Sequence, residues 1–144
     1  ISLGQFKMGF YYESEATTIK ALNILKQNVN EENTIEPRKR LINQLGMLYR
    51  KIGDYENALR FYNQSLELND NLTDKIAIIT NLANIDADQN YFQNAVDRLQ
   101  PYYAQTLNLA DSAIKANYFD NLGPRALNSY NLQTIIKQIT RQKG

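Results

Sequence analysis

The chain has 144 residues, 43% of them hydrophobic and 22% charged, and its formal net charge of +1 gives it no electrostatic preference for nucleic acid. It contains no histidine and no cysteine, which excludes disulfides, thiolate chemistry, and the commonest general base and metal ligand. We therefore predict no catalytic residue, no metal site and no cofactor, and the sequence has no apolar run long enough to predict a membrane span.

The first two helices are predicted within residues 1–29. Residues 1–12 are expected to form one helix, and Ser14 is expected to cap a second helix that follows it. The next stretch, 28–37, is polar and lacks periodicity, which predicts a loop. Pro37 is expected to open the third helix, because proline is favoured at the first helical position.

The third and fourth helices are predicted on either side of Gly53 and Asp54. Apolar residues recur at helical spacing before and after this pair. Gly53 can adopt the left-handed conformation that ends a helix, and Asp54 is expected to cap the helix that follows.

Capping residues predict where three later helices begin. Thr73 is the predicted cap of the fifth helix, and Asn90 with Gln93 is the predicted cap pair of the sixth. Asn108 and Asp111 are the residues expected to cap the seventh helix.

Two prolines predict interruptions in the second half of the chain. Pro101 lies inside a helical pattern, which predicts a kink or an early stop near Gln100. Pro124 directly follows Gly123 and is expected to kink or end the seventh helix. The last helix is predicted from about Leu132 to Arg141.

Small residues recur along the chain at a fixed period. Gly46 and Ala58 lie 12 residues apart, and the same spacing appears 37 residues earlier and 37 residues later. Both positions are expected to be small because two helices approach closely there. The recurring pairs are Gly9 with Ala21, Ala83 with Ala95 and, after a step of 40, the weaker pair Gly123 with Ile135.

Residues 40–70, RLINQLGMLYRKIGDYENALRFYNQSLELND, resemble a tetratricopeptide repeat. The resemblance implies an all-α fold, an α-solenoid of about four helix-turn-helix repeats in a single domain. The approximate repeats are 2–36, 37–73, 74–108 and 109–144. The stretches LGMLYRKIGDYENALRFYNQSLEL and DSAIKANYFDNLG also look like the sensory repeat segments of bacterial signalling proteins. Because the chain begins with Ile1, we expect it to be part of a longer protein.

The resemblance implies a peptide-binding groove lined by the first helices of the repeats. Ala77 and Asn81 stand where chaperone-binding members carry cations, so capture of a terminal carboxylate is not expected. An amide ladder that holds a peptide backbone is one interpretation of these asparagines, and the other, which is favoured, is an asparagine-rich composition that places asparagine everywhere. The same register places Thr80 on this face. The predicted peptide-binding residues are Arg40, Asn43, Gln44, Met47, Arg50, Asn81, Asn84, Asn117 and Asn121.

The favoured function is a protein- or peptide-binding scaffold, the recognition part of a regulatory or sensor protein. The alternative is a structural spacer or a homodimerisation element that uses the N-terminal helix, which is apolar on nearly all sides. We expect no nucleic-acid partner and no membrane insertion. The sequence does not identify the cellular compartment. An enzyme is disfavoured; Asp86 and Asp88 point to different faces and are interpreted as a solvated helix end.

Overall fold

The computed structural model describes residues 3–27, 31–123, 136–137 and 139–142, and nearly all of them are helical. No residue in these ranges lies in a strand. Within these ranges, helices that follow one another in the same half of the chain pack against each other. The predicted all-α, solenoid-like fold is therefore confirmed.

The helices follow one another with short connections. Their bounds are α1, Leu3–Gln27; α2, Glu31–Lys51; α3, Tyr55–Leu68; α4, Leu72–Asp88; α5, Phe92–Leu99; a 3₁₀ turn, Gln100–Tyr102; α6, Tyr103–Leu107; and α7, Ser112–Leu122. Residues 136–137 and 139–142 are also helical.

The chain divides into two compact units, Ile1–Asn69 and Asp70–Gly144. In the first unit, α2 packs against both α1 and α3. In the second unit, α4 packs against α5 and α7. Leu45 and Leu82, which occupy the same position in the 37-residue period, are both fully buried. The predicted repeat bounds within the chain stay a prediction.

The close approach predicted at Gly46 is confirmed. A Cβ added to Gly46 would lie 2.9 Å from Cε2 of Tyr62, inside the van der Waals contact distance. Tyr62, which lies against this position, and Ala58 of the same helix are both buried. The equivalent residue of the next helix pair, Ala83, is also buried. The small residues therefore let α2 and α3 pack closely, as the period predicts.

The turn between α2 and α3 also follows the prediction. Gly53 has a φ of +81°, in the left-handed region that glycine favours. The carboxylate of Asp54 accepts a hydrogen bond from the backbone N–H of Asn57 at 3.2 Å, which caps α3.

The predicted break within the first 29 residues is wrong, because α1 is one continuous helix. Ser14 does not cap a helix; it lies inside α1, where its carbonyl accepts a 2.7 Å hydrogen bond from the hydroxyl of Thr18. Gly9 does not mark a close approach either. A Cβ added there would meet no atom within 4 Å.

The start of α2 was also predicted wrongly. The helix begins at Glu31, so Pro37 lies inside it rather than at its first position. Proline has no N–H to donate to the carbonyl four residues earlier, so this position lacks one helical hydrogen bond. The polar segment before Pro37 is therefore helical from Glu31, and its first residues, 28–30, lie outside the described residues.

The predicted caps of the later helices are partly correct. Asp111 caps α7, since its carboxylate accepts from the N–H groups of Ala113 and Ile114. Asn108 plays no part in that cap; its amide donates back to the carbonyl of Ala104. The predicted cap at Thr73 is wrong as well, because Asn71 caps α4.

Asn90 and Gln93 do not form the predicted cap pair. Asn90 has a φ of +65° and lies in the turn before α5. Gln93 instead donates a 2.9 Å hydrogen bond to Asp97, one turn further along the helix. The N-cap position of α5 is Tyr91, which makes no side-chain cap.

Helices end near both regions in which a proline predicted an interruption. The interruption predicted near Gln100 is confirmed, since α5 ends at Leu99 and a 3₁₀ turn containing Pro101 follows. Helix α7 ends at Leu122, and Gly123 has a φ of +58°. The predictions for Pro124, Ile135 and the start of the last helix at Leu132 lie outside the described residues.

Candidate functional site

The outer side of α2 carries three of the predicted binding residues. Arg40, Gln44 and Met47 are exposed, and they follow one another at spacings of four and three residues. The neighbouring Leu45 and Leu48 are buried in the core. The helical period thus brings these three side chains onto one accessible face, and their role in peptide binding stays a prediction.

Met47 is the apolar centre of this face. Its side chain is 46% exposed although it lies beside the buried core of the repeat. An exposed methionine has three rotatable bonds and a polarizable sulfur, so it adapts to differently shaped apolar partners. Arg40 and Gln44 lie on its N-terminal side and supply a cation and an amide. The arrangement offers apolar contact with polar groups at its edge.

A cavity of about 280 Å³ lies beside Gln44, between α1 and α2. The wall from α1 is mostly hydroxylated and includes one carboxylate and one aromatic ring. Such a lining can accept and donate hydrogen bonds to a polar chain. The lining residues are Phe10, Glu13, Ser14, Thr17, Thr18 and Gln44.

Asn43 and Arg50, which were predicted in the same set, are less accessible. The side-chain oxygen of Asn43 accepts a 2.7 Å hydrogen bond from the hydroxyl of Ser65, which ties α2 to α3. Arg50 is partly buried and interacts within the chain. Burial raises the pKa of Tyr62, and the charge of Arg50 opposes that rise, which places the guanidinium near the core. Both residues therefore support the repeat as well as bordering the face.

Tyr49 connects all three helices of the first unit. Its hydroxyl donates a 2.9 Å hydrogen bond to Glu15 of α1, and its ring stacks on Phe61 of α3 at 5.4 Å. Arg60 lies over the Phe61 ring at 4.6 Å, a cation–π distance. Burial, followed by the bond to Glu15, raises the pKa of Tyr49 to about 12. The cluster fixes the orientation of α2.

The predicted amides of the second unit lie on α4 and α7, which pack against each other. Asn81 and Asn84 of α4 are half-buried, and Asn117 of α7 is exposed. Asn121 donates to the carbonyl of Asn117 at 2.7 Å and to its side-chain oxygen at 3.0 Å, so these two amides are held together.

Thr80 is not part of an accessible face. It is fully buried, and its hydroxyl donates a 2.8 Å hydrogen bond to the carbonyl of Ile76. A threonine that satisfies its hydroxyl within its own helix can replace an apolar residue in the core. The helical register assigned Thr80 to the groove, and that assignment is wrong because its side chain faces the core.

Asp86 is not solvated, contrary to the prediction. It is buried and forms an ion pair with Arg98 of α5, and its carbonyl accepts from the N–H of Tyr91 at 2.8 Å. Its carboxylate therefore joins the two helices. The period contains the signal for this pair, because Asp86 and Arg98 lie 37 residues after Tyr49 and Phe61.

Tyr118 holds α7 against the end of α5. It is fully buried, and its hydroxyl donates to the carbonyl of Leu99. Burial raises the pKa of Tyr118, and a hydrogen bond with Thr106 opposes that rise. Over the described part of the chain, no three His, Cys, Asp or Glu residues are grouped as they would be around a metal ion.

Comparison with known proteins identifies one region. A family model described as tetratricopeptide repeat matches residues 40–72, which include most of α2, all of α3 and the first residue of α4. Neither the curated proteins nor the solved structures give a significant match. None of the helices described is both long and apolar enough to cross a membrane. Proteins of this family are typically non-catalytic. Residues 40–72 thus form a tetratricopeptide repeat, a helical scaffold for protein–protein interaction.

Proposed function

We propose that the chain binds an extended peptide segment of a partner protein on the exposed face of α2, formed by Arg40, Gln44 and Met47. The exposure of Met47 carries this proposal. An apolar side chain left accessible at the centre of a polar helix face is the arrangement that a partner buries. The cavity beside Gln44 extends the same face toward α1.

The charge of α2 favours an acidic segment. The stretch 37–51 contains five basic residues and no acidic one, although the whole chain has a net charge of only +1. Arg40 is exposed at one end of the stretch and Lys51 at the other, with Met47 between them. A ligand with an apolar residue flanked by carboxylates would complement this order of groups.

We propose that the amides of the second unit form a peptide contact of their own. Asn81, Asn84, Asn117 and Asn121 present both donors and acceptors, which can hold a peptide backbone whatever its side chains. The bond between Asn121 and Asn117 orders two of these amides in advance, which reduces the entropy lost on binding. The proposed wider role is recognition within a regulatory or sensor protein, which rests on the resemblance of the repeat segments.

A second candidate function is homo-oligomerisation through α1. Phe10, Tyr12 and Ile24 are large apolar side chains that α1 leaves exposed. Sedimentation or light scattering over a hundredfold concentration range would reveal it as a rising mass. A constant monomer mass would exclude it.

The test is site-specific photo-crosslinking in a lysate of the source organism. A photoreactive phenylalanine replaces Met47 in one variant and Asn63, an exposed residue of α3, in the matched control. We expect a partner band from position 47 and none from position 63. Adding Gln44→Ala and Arg40→Glu should weaken that band at least tenfold, whereas adding Glu67→Ala should not. A band of equal strength from both positions, or one that survives both α2 changes, would refute the proposal.

A further inference from the structure

Two helix pairs of this chain make the same contact with different chemistry. In the first unit, Tyr49 of α2 stacks on Phe61 of α3. In the second unit, Asp86 of α4 forms an ion pair with Arg98 of α5. The partners lie 12 residues apart in both pairs, and the second pair follows the first by 37 residues. This position of the period is therefore where two antiparallel helices are joined.

The turns of both helix pairs depend on one residue with a positive φ. Gly53 has a φ of +81° between α2 and α3, and Asn90 has a φ of +65° between α4 and α5. These residues also lie 37 apart. Glycine and asparagine are the residues that adopt this conformation most readily. The residue 37 positions before Gly53 is Ala16. Alanine disfavours a positive φ and favours the helical conformation.

Helix α1 contains the two residues equivalent to this contact pair, but they do not touch each other. Tyr12 and Ile24 lie 37 residues before Tyr49 and Phe61. Tyr49 and Phe61 are each 8% exposed, whereas Tyr12 is 54% and Ile24 53% exposed. Tyr12 and Ile24 lie more than three turns apart on one straight helix, so they cannot touch.

The glycine of the period shows the same missing contact. Gly46 lies against Tyr62, but Gly9, its equivalent in α1, has open space where its Cβ would be. The residue equivalent to Tyr62 is Leu25, which α1 leaves partly exposed. Two separate positions of α1 thus lack the neighbour that a folded-back helix would supply.

We propose that α1 is the open form of a helical hairpin and that Ala16 is its hinge. In the closed form, residues 3–12 fold back along 18–27, so that Tyr12 packs on Ile24 and Gly9 on Leu25. Thr17 and Ile24 lie two turns apart on one side of α1, and Thr17 lines the cavity beside α2. Phe10, which also lines this cavity, moves with residues 3–12, so closure changes the wall of the cavity. The proposal does not rest on the proposed peptide binding and goes beyond it, although the cavity borders the same face.

Ala16 sets the balance between the two forms. An alanine in the left-handed conformation is disfavoured by roughly 5- to 30-fold in population relative to a residue that tolerates it. Glycine removes this penalty and also weakens the continuous helix. Ala16→Gly is therefore expected to shift α1 toward the hairpin by about tenfold or more.

The experiment measures the distance between two spin labels. The chain has no cysteine, so labels can be placed at Phe10→Cys and Lys26→Cys without other changes, and both positions are exposed. Their Cα atoms lie about 24 Å apart in a straight helix. In a hairpin they would lie about one helix packing distance apart, about 8–10 Å. The equivalent pair Met47→Cys and Asn63→Cys provides the closed-hairpin standard within the same protein.

Dipolar broadening in continuous-wave EPR distinguishes the two distances. We expect little broadening at 10 and 26 in the parent chain and, after Ala16→Gly, a component that matches the standard. Adding Ile24→Asp should remove that component. Ala21→Gly, which weakens α1 equally at a position outside the turn, should not produce it.

Three results would overturn the proposal. One is an unchanged spectrum after Ala16→Gly, and another is equal broadening from Ala21→Gly. The third is broadening in a mixture of chains that each carry a single label, one at position 10 and the other at 26. That result would assign the contact to a second copy of the chain rather than to closure within one chain.

Discussion

Replacing a glycine by alanine should have opposite effects at two equivalent positions of the period. Gly46→Ala places a Cβ 2.9 Å from Cε2 and 3.0 Å from Cδ2 of Tyr62. The ring is buried, so it cannot swing away freely. Overpacking of this kind costs about 1–3 kcal/mol, and the helix propensity gained offsets about 1 kcal/mol of it. The net expectation is a loss of about 0–2 kcal/mol in the free energy of unfolding.

Gly9→Ala is the matched control. The same chemical change meets no atom within 4 Å, so only the gain in helix propensity remains, about 1 kcal/mol. Urea unfolding followed by circular dichroism measures both variants, and equal m-values would show that the midpoints are comparable. If Gly46→Ala stabilises the chain as much as Gly9→Ala does, the close packing of α2 on Tyr62 does not limit residue size.

Three further predictions concern single interactions. Arg98→Ala should lower the free energy of unfolding by about 1–3 kcal/mol, because it leaves the buried carboxylate of Asp86 without its cation. The double variant Asp86→Tyr with Arg98→Phe, which copies the aromatic pair of the first unit, should restore part of the loss. Chemical denaturation measures both variants. Tyr49→Phe should flatten the decline in stability at alkaline pH. The pKa of Tyr49 is raised to about 12, so the stability that its hydroxyl contributes is complete below its ordinary pKa of about 10 and is lost as pH rises through 12. Urea midpoints measured from pH 9 to 12 would depend on pH equally in both proteins if this is wrong. Asn71→Ala should cost about 1 kcal/mol as loss of the α4 cap, whereas Thr73→Ala should cost much less, and equal thermal shifts would contradict the assigned cap.

The sequence was sufficient to locate the helix pair of the tetratricopeptide repeat. Leu45, Gly46 and Ala58 are buried where the period requires it, and Gly53 has the expected positive φ. These predictions succeeded because burial and close packing restrict the size and polarity of a residue strongly. A repeated restriction of this kind leaves a pattern that a single sequence can reveal.

Helix ends and accessible faces were predicted less well. Ser14 has a capping side chain, but α1 continues through it because a cap stabilises a helix start and does not force one. Thr80 is polar but buried, because its own helix satisfies its hydroxyl. Polarity alone therefore cannot assign a side chain to a binding face. Met47 is exposed because Leu45 and Leu48, its neighbours on the helix, occupy the buried positions.

The contact between paired helices explains why one turn residue can decide the architecture. Tyr49 with Phe61 and Asp86 with Arg98 share no chemistry, yet each pair joins two helices at the same position of the period. The helix pair thus accommodates at least two kinds of complementary side chains there, and the proposed hairpin requires that Tyr12 with Ile24 would also suffice. What α1 lacks is a residue that adopts a positive φ with little penalty. The difference between a straight helix and a hairpin then depends on Ala16, a residue that makes no contact in the pair itself.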